Sequence, residues 1–325
     1  MATTDVVPSE AEVLAYFDQL SNWGRWGPAD RLGTLNHITP AKRREAARLV
    51  EEGKAISLAW EIDVHHQPEH THAPPLRHFL TTGEGLAEAD RVLPPGIRPG
   101  DRQAGALEWI GMMFHGFSVT HLDALSHIFW DRRMYNGIPS NRVSAVAGAV
   151  EHAVTEVKDG IMTRGVLVDA PRHRGVEWLE PGEAVTAAEV ESILAAEGVE
   201  LEPGDALLLR TGYGRRKLER GPDDVAARGR AGWQASCLPL FWRESVSLIG
   251  ADTAQDVIPS GYERVRIPIH SVGMVAMGLF LLDNCDLEEL AATCERVGRW
   301  TFLLQLAPLR FVGATGSPVN PIAVF

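Results

Sequence analysis

Apolar residues recur along this chain in two periods, and the switches between them outline its elements. Ser9-Glu10-Ala11-Glu12 has the form of a capping box and predicts a short helix running to about Leu20. Thr39 followed by Pro40 is a hydroxyl N-cap with a proline in the first helical position. The helix it predicts buries Ala46, Leu49 and Val50 and stops near Gly53. Weak alternation over residues 55–64 reads as a strand. Residues 107–123 read as holding another strand, which carries a polar cluster near its end. Thr186 with Glu189 opens a helix with the stripe Val190, Ile193 and Leu194, and Gly198 closes it. The continuous apolar runs at 166–169, 206–210 and 246–250 are too short for helices and read as buried strands. Residues 233–242 read as helical. An apolar helix rich in Met and Gly opens at His270, and Asp286 caps a helix carrying Leu287, Leu290 and Ala291. Residues 300–310 read as a final strand.

Strands and helices mix here without strict alternation. That pattern predicts an α/β fold with mixed sheets. No repeat, low-complexity block or linker divides the chain. A single domain is expected over residues 23–325, preceded by an N-terminal arm and helix at 1–22. Residues 65–105, rich in His, Pro and Gly, read as a long functional or mobile loop.

Composition narrows the partners. The chain has 325 residues, 45% hydrophobic and 23% charged, a globular composition with net charge -12. Nucleic acid and anionic membrane surfaces are therefore not expected as general partners. No apolar run approaches the roughly 20 residues that span a bilayer. The first residues lack a basic region followed by an apolar one, so no secretory signal is expected. Three cysteines, Cys237, Cys285 and Cys294, form no Cys-x-x-Cys pair and suit a reducing cytoplasm. No Gly-x-Gly-x-x-Gly follows a strand, so a nucleotide cofactor is not expected.

Candidate chemistry concentrates in Phe117-Ser118-Val119-Thr120-His121-Leu122-Asp123-Ala124-Leu125-Ser126-His127. In extended chain His121 and Asp123 are two apart and share a face, aiming an imidazole and a carboxylate at one cation. His127 lies four further on, past a bend, within reach of a water on that cation. The pattern is that of a metal hydrolase. A half-buried strand with polar residues that only hydrogen-bond is the plainer alternative.

This segment resembles the His-x-Gly-Thr-His-x-Asp-x-Pro-x-His signature of the metal-dependent cyclase family, which includes bacterial kynurenine formamidase and isatin hydrolase. Gly33-Thr34-Leu35-Asn36, Gly165 to Asp169, Gly204-Asp205 through Thr211-Gly212, and Gly316-Ser317-Pro318-Val319-Asn320-Pro321 extend the likeness from about Trp23 to the C-terminus. The resemblance implies a swivelling β/β/α fold, a divalent metal, and hydrolysis of a cyclic or aryl amide, imide or lactone. It implies His121 and Asp123 as ligands and His127 as base and proton shuttle. Three motif positions depart: Phe117 stands for the first His, Val119 for Gly and Leu125 for Pro. Losing a ligand at Phe117 points to one ion, Mn²⁺ or Zn²⁺, rather than two. His115 has the strand parity of His121 but lies about 20 Å away along an ideal strand, so only a bulge or bend brings it in.

By position in the family, His270 and Gln255 are the further candidate ligands. Asp283, Asp252 and Asp256 are weighed beside them, the last two equally as turn formers. Phe117, Ser118 and His78 are the candidate substrate contacts, and Ser118 or Thr120 would assist the oxyanion. His65, His66, His70 and His72 read as a solvated loop. The resemblance also implies a homodimer or homotetramer, with Trp23 and Trp26 placed to complete a neighbouring pocket. A non-hydrolytic metal-dependent cyclase or dehydratase, and an inactive binding protein, stay open as alternatives.

Overall fold

The structure, a computed structural model, describes residues 7–70, 73–83 and 103–325. His72 and much of the 65–105 segment lie outside them. Along the chain run α1 (Glu10–Gln19), α2 (Pro40–Ala47), β1 (Ala55–Ser57), β2 (Leu76–Thr81), β3 (Leu107–Gly111), β4 (His121–Asp123) and β5 (Ile161–Asp169). There follow α3 (Ala187–Glu197), β6 (Ala206–Arg210), α4 (Tyr213–Arg220), α5 (Cys237–Arg243), β7 (Leu248–Ala251), the π-helix Ile269–Met277, and β8 (Phe280–Asp283). The chain ends with α6 (Glu288–Val297), β9 (Thr301–Leu306), β10 (Gly316–Pro318) and β11 (Ile322–Val324).

A nine-stranded sheet has the order β1-β11-β9-β5-β6-β7-β8-β4-β10. At its centre β5, β6, β7 and β8 are parallel neighbours. These are the short continuous apolar runs, and strands covered on both faces are expected to read that way. Val166, Val168, Leu207, Leu209 and Ile249 face one core with α3, α5 and the π-helix. Their neighbours Leu167, Leu208, Leu248 and Leu282 face the other with α6. The mixed α/β architecture is the one the sequence predicts.

Parallel central strands bring their carboxyl ends to one edge, where α/β sheets place functional groups. Asp169 and Arg210 pair across that edge, followed by Ala251 and then Asp283. β4 runs antiparallel to β8, so its first residue, His121, lies opposite the last residue of β8, Asp283. The short β4 thus enters the site from the other direction.

Local boundaries differ from the sequence pattern in several places; the helix read over 233–242 begins at Cys237, with Trp233 in a short strand, and the strand read over 300–310 ends at Leu306. α2 ends at Ala47, and Val50 is exposed rather than buried. The strand read over 55–64 stops at Ser57. The strand read over 107–123 divides: β3 forms a separate hairpin with β2, whereas β4 joins the main sheet. Periodicity could not find this break, because an apolar hairpin in the open has the same pattern as a buried strand. Leu76, Phe79, Leu80, Trp109 and Ile110 are all exposed on that hairpin.

The predicted N-caps Ser9, Thr39 and Thr186 are present, accepting from the amides of Glu12, Lys42 and Glu189, whereas the helix predicted to be capped by Asp286 takes Leu287 at that position. The N-terminal segment then closes the C-terminal end of the π-helix. The Asn22 amide reaches the Met277 carbonyl at 2.8 Å, and the Trp23 indole reaches the Val275 carbonyl at 2.7 Å. Carbonyls left free at a helix end need such donors. Among the described residues no helix is long and apolar enough to cross a membrane.

Candidate metal centre

β4 supplies the first two donors. Leu122 points into the core, so His121 and Asp123 share the opposite face. The His121 Nδ1 donates to the Val119 carbonyl at 2.8 Å. That leaves the Nε2 lone pair facing Asp123 Oδ1 at 3.3 Å, since fixing one ring nitrogen sets the role of the other.

His115 completes this side. Its Nδ1 lies 2.8 Å from Asp123 Oδ1, and its Nε2 meets the Thr315 hydroxyl at 3.0 Å. An ideal strand would hold it far off, but the chain bends between β3 and β4. Gly116, with φ of +144°, takes a conformation that side-chain-bearing residues avoid. Gly316 on β10 makes room: a Cβ there would stand 2.8 Å from His115 Cε1 and 2.6 Å from the Leu122 carbonyl.

The π-helix and β8 supply the rest. His270, in the first turn, directs Nε2 to within 3.7 Å of Asp123 Oδ2 and 3.6 Å of Asp283 Oδ2. Behind it the buried Asp256 accepts from His270 Nδ1 at 2.6 Å and from the Ile269 and His270 amides at 2.8 and 3.2 Å. One carboxylate therefore caps the helix and sets the imidazole, as partners behind metal-bound histidines do. Gln255 stands in the same rear row. Its Nε2 donates to Asp283 Oδ1 at 2.9 Å, while its Oε1 accepts from the Trp233 indole at 3.1 Å. With both ends of the amide engaged, Gln255 orients Asp283 instead of facing the cluster.

Two overlapping triads result. One donor atom each from His115, His121 and Asp123 lie within 4.8 Å of one another, as do those from Asp123, His270 and Asp283. Asp123 belongs to both. Its carboxylate is fully buried, and among the described residues neither oxygen has a hydrogen-bond partner; His115 Nδ1, though close, has none either. Leaving a charge buried and unmatched costs several kcal/mol, on the order of 3–5. A divalent cation satisfies the carboxylate and the imidazole lone pairs together, so the residues present fit such an ion.

The electrostatics agree. Burial pulls His121 down, but Asp123 and Asp283 outweigh it and lift its pKa to about 9. The same carboxylates, aided by Asp256, hold His270 well above its usual value against burial. These nitrogens sit in a field that attracts positive charge, whether proton or metal ion. His127 behaves oppositely. Burial, and then the crowd of imidazoles from His115, His270 and His121, pushes it to about 4 despite Asp123. Its ring stacks on His115 with centroids 3.8 Å apart, and Nε2 is 3.8 Å from Asp123 Oδ2. A quarter of the side chain is exposed, so it borders the opening of the site.

Other sequence candidates lie elsewhere. Asp252 accepts from the Thr211 amide and hydroxyl and from the amides of Gly212 and Tyr213, capping α4. The Thr120 hydroxyl donates to the Asn284 carbonyl at 2.6 Å and accepts from the Trp60 amide, which ties down the chain before His121. Ser118 is half-buried and lines a cavity of about 750 Å³ with Trp60, Glu69 and Lys217. Phe117 is half-buried beneath the Arg230 guanidinium, 5.9 Å from its ring centroid. His78 is exposed on the β2–β3 hairpin, stacked on Trp109. His65 and His66 are exposed and His70 half-buried.

Replacing Asp256 with asparagine is expected to weaken ion binding and turnover by about 10–100-fold while leaving the fold intact. Titration of the metal-stripped protein, followed by a competing chelator, reads this. Wild-type affinity in the variant would mean that Asp256 only caps the helix.

Comparison with known proteins places the chain. A family model described as "Putative cyclase" matches residues 56–255. A crystal structure described as a novel cyclase superposes with a TM-score of 0.83 at 34% identity, covering 94% of this chain and all of the other. The chain belongs to this cyclase family. Isatin hydrolase A from Labrenzia aggregata, bound to benzyl benzoate, shares the fold at 18% identity and a TM-score of 0.58, over 83% of this chain and 93% of its own. Isatin hydrolase A from Ralstonia solanacearum does so at 16% identity and a TM-score of 0.58, over 88% and 97%. A search of curated proteins finds no match.

Proposed function

We propose that this protein is a divalent-metal-dependent hydrolase that cleaves a C–N or C–O acyl bond in a small cyclic or aryl amide, imide or lactone. The observation that carries the reading is the buried, unpartnered Asp123 carboxylate shared by two donor triads. Cyclase-family membership and the fold shared with isatin hydrolases support it.

Three imidazoles and two carboxylates, without a thiolate, suit one Mn²⁺ or Zn²⁺. Such an ion, when bound, supplies Lewis acidity and makes a water acidic enough to lose its proton near neutral pH. The protein supplies the base. His127 is neutral at pH 7, because burial and neighbouring imidazoles hold its pKa near 4. Its Nε2 takes the proton from the attacking water and later returns it to the leaving nitrogen or oxygen. Phe117 presents an apolar ring to the substrate. His121 and His270, each fixed through Nδ1, hold their Nε2 atoms without rearrangement. The buried free thiols of Cys237, Cys285 and Cys294 suit a reducing cytoplasm.

The test is turnover of a panel of cyclic amides, imides and lactones by protein reloaded with Mn²⁺ or Zn²⁺, in ¹⁸O-labelled water. Hydrolysis places the label in the acid product. Product without label would make the reaction a cyclisation or dehydration, and failure to take up any ion would end the metal reading.

A further inference from the structure

Arg230 is a buried cation whose donors find no hydrogen-bond acceptor among the described residues. It is 2% exposed, and its Nε, Nη1 and Nη2 have no hydrogen-bond partner among the described residues. The guanidinium carbon lies 3.7 Å from the Tyr213 ring centroid and 5.9 Å from that of Phe117. The nearest carboxylate is Glu69, with Oε2 3.9 Å from Arg230 Nη2, beyond hydrogen-bond length. That carboxylate is already engaged: Oε1 takes Lys217 Nζ at 2.6 Å, and Oε2 takes the Tyr213 hydroxyl at 2.6 Å. Glu69 offsets charge without satisfying the five guanidinium donors.

Both ends of Arg230 are tied to the metal cluster. Its backbone exchanges hydrogen bonds with Ile258, both at 2.9 Å, and the next carbonyl, of Ala231, accepts from Thr253. Between those two contacts lie Gln255 and Asp256, which set Asp283 and His270. At the other end the guanidinium covers Phe117, two residues beyond His115. The guanidinium N–H groups are left for a ligand that none of the described residues supplies. Edge-on, its parallel N–H groups match the two oxygens of a carboxylate.

We propose that Arg230 is the subsite for a carboxylate carried by the substrate, separate from the acyl bond that is cleaved. The substrate class narrows to amides, imides or lactones bearing a carboxylate. The statement about the bond rests on the hydrolase reading; the statement about binding does not.

Calorimetric titration of the full-length protein with benzoate, benzamide and inorganic phosphate tests it, in metal-loaded and chelator-treated forms. Benzoate is expected to bind at least tenfold more tightly than either of the others in both forms. Arg230→Met should lose that tenfold while keeping its ion stoichiometry. Its melting temperature should equal or exceed the wild-type value, because a buried guanidinium with unsatisfied N–H donors has been removed. Arg230→Lys keeps the charge without the fork and should bind benzoate about tenfold more weakly; it decides the matter if the methionine variant does not fold. Equal binding of benzoate and benzamide, equal binding of phosphate, unchanged affinity in the variants, or a preference that vanishes with the ion would each overturn the proposal. A protein that binds no ion yet prefers benzoate through Arg230 would sink the hydrolase reading and leave this one standing.

Discussion

Asp123→Asn is expected to abolish stoichiometric ion binding, with affinity reduced by more than the roughly 100-fold that loss of an outer partner costs. Asparagine keeps the shape of the side chain and removes its charge. Because Asp123 belongs to both donor triads, no other residue of the cluster takes its place. The wild-type protein should gain stability on adding Mn²⁺ or Zn²⁺, by about 4 kcal/mol when the free ion is about 1,000 times its Kd. The variant should show no such shift in melting temperature. A variant that still melts higher with added ion would mean that the ion sits elsewhere, and the assignment of this centre would fall.

His127→Gln is expected to lower kcat by about 10²–10⁴-fold, the contribution of a positioned acid–base group. Ion content and the ion-dependent melting shift should stay at wild-type levels, because His127 is absent from both donor triads. KM should change little if the residue acts on the proton and not on substrate binding. Wild-type turnover should fall on acidification, as the His127 imidazole, held near 4 by burial, takes up a proton. Steady-state kinetics beside metal analysis checks all of this. Loss of the ion together with activity would move His127 from base to ligand. Unimpaired kcat would remove it from the mechanism.

The two experiments separate roles that the geometry places within a few ångströms. His115 and His127 stack face to face, yet only His115 offers a nitrogen within the triads. The difference in pKa direction between His121 and His127 has the same origin. His121 lies between two carboxylates, whereas His127 lies against other imidazoles at the rim. One fold thus keeps some imidazoles attractive to cations and holds another neutral at pH 7.

Much of this was legible in the chain. The capping residues Ser9 and Thr39 and the strand 206–210 depend on local chemistry, and they lie where the pattern puts them. His121 and Asp123 share a face because strand geometry alternates, which needs no tertiary information. His115 was less legible. Its distance along an ideal strand argued against it, and Gly116 was the available sign of a bend. Asp283 and Gln255 show the same limit: both were candidates, but only packing decides which faces the cluster and which stands behind it. The unused donors of Arg230 left no trace in the sequence at all, since whether a charge is partnered depends on what the fold brings to it.

By itself the sequence determined the mixed α/β class, the buried central strands, the family likeness, and the imidazole–carboxylate pair of β4. These follow from periodicity and from side chains a few residues apart, where backbone geometry alone sets direction. The tertiary structure decided how His115, Asp283 and His270 meet that pair, and that Asp252 caps a helix. It also decided that Asp256 and Gln255 orient donors from the second row. Those contacts join residues far apart in the chain. Their distances depend on strand order, on the bend at Gly116 and on the space left by Gly316, none of which local pattern encodes.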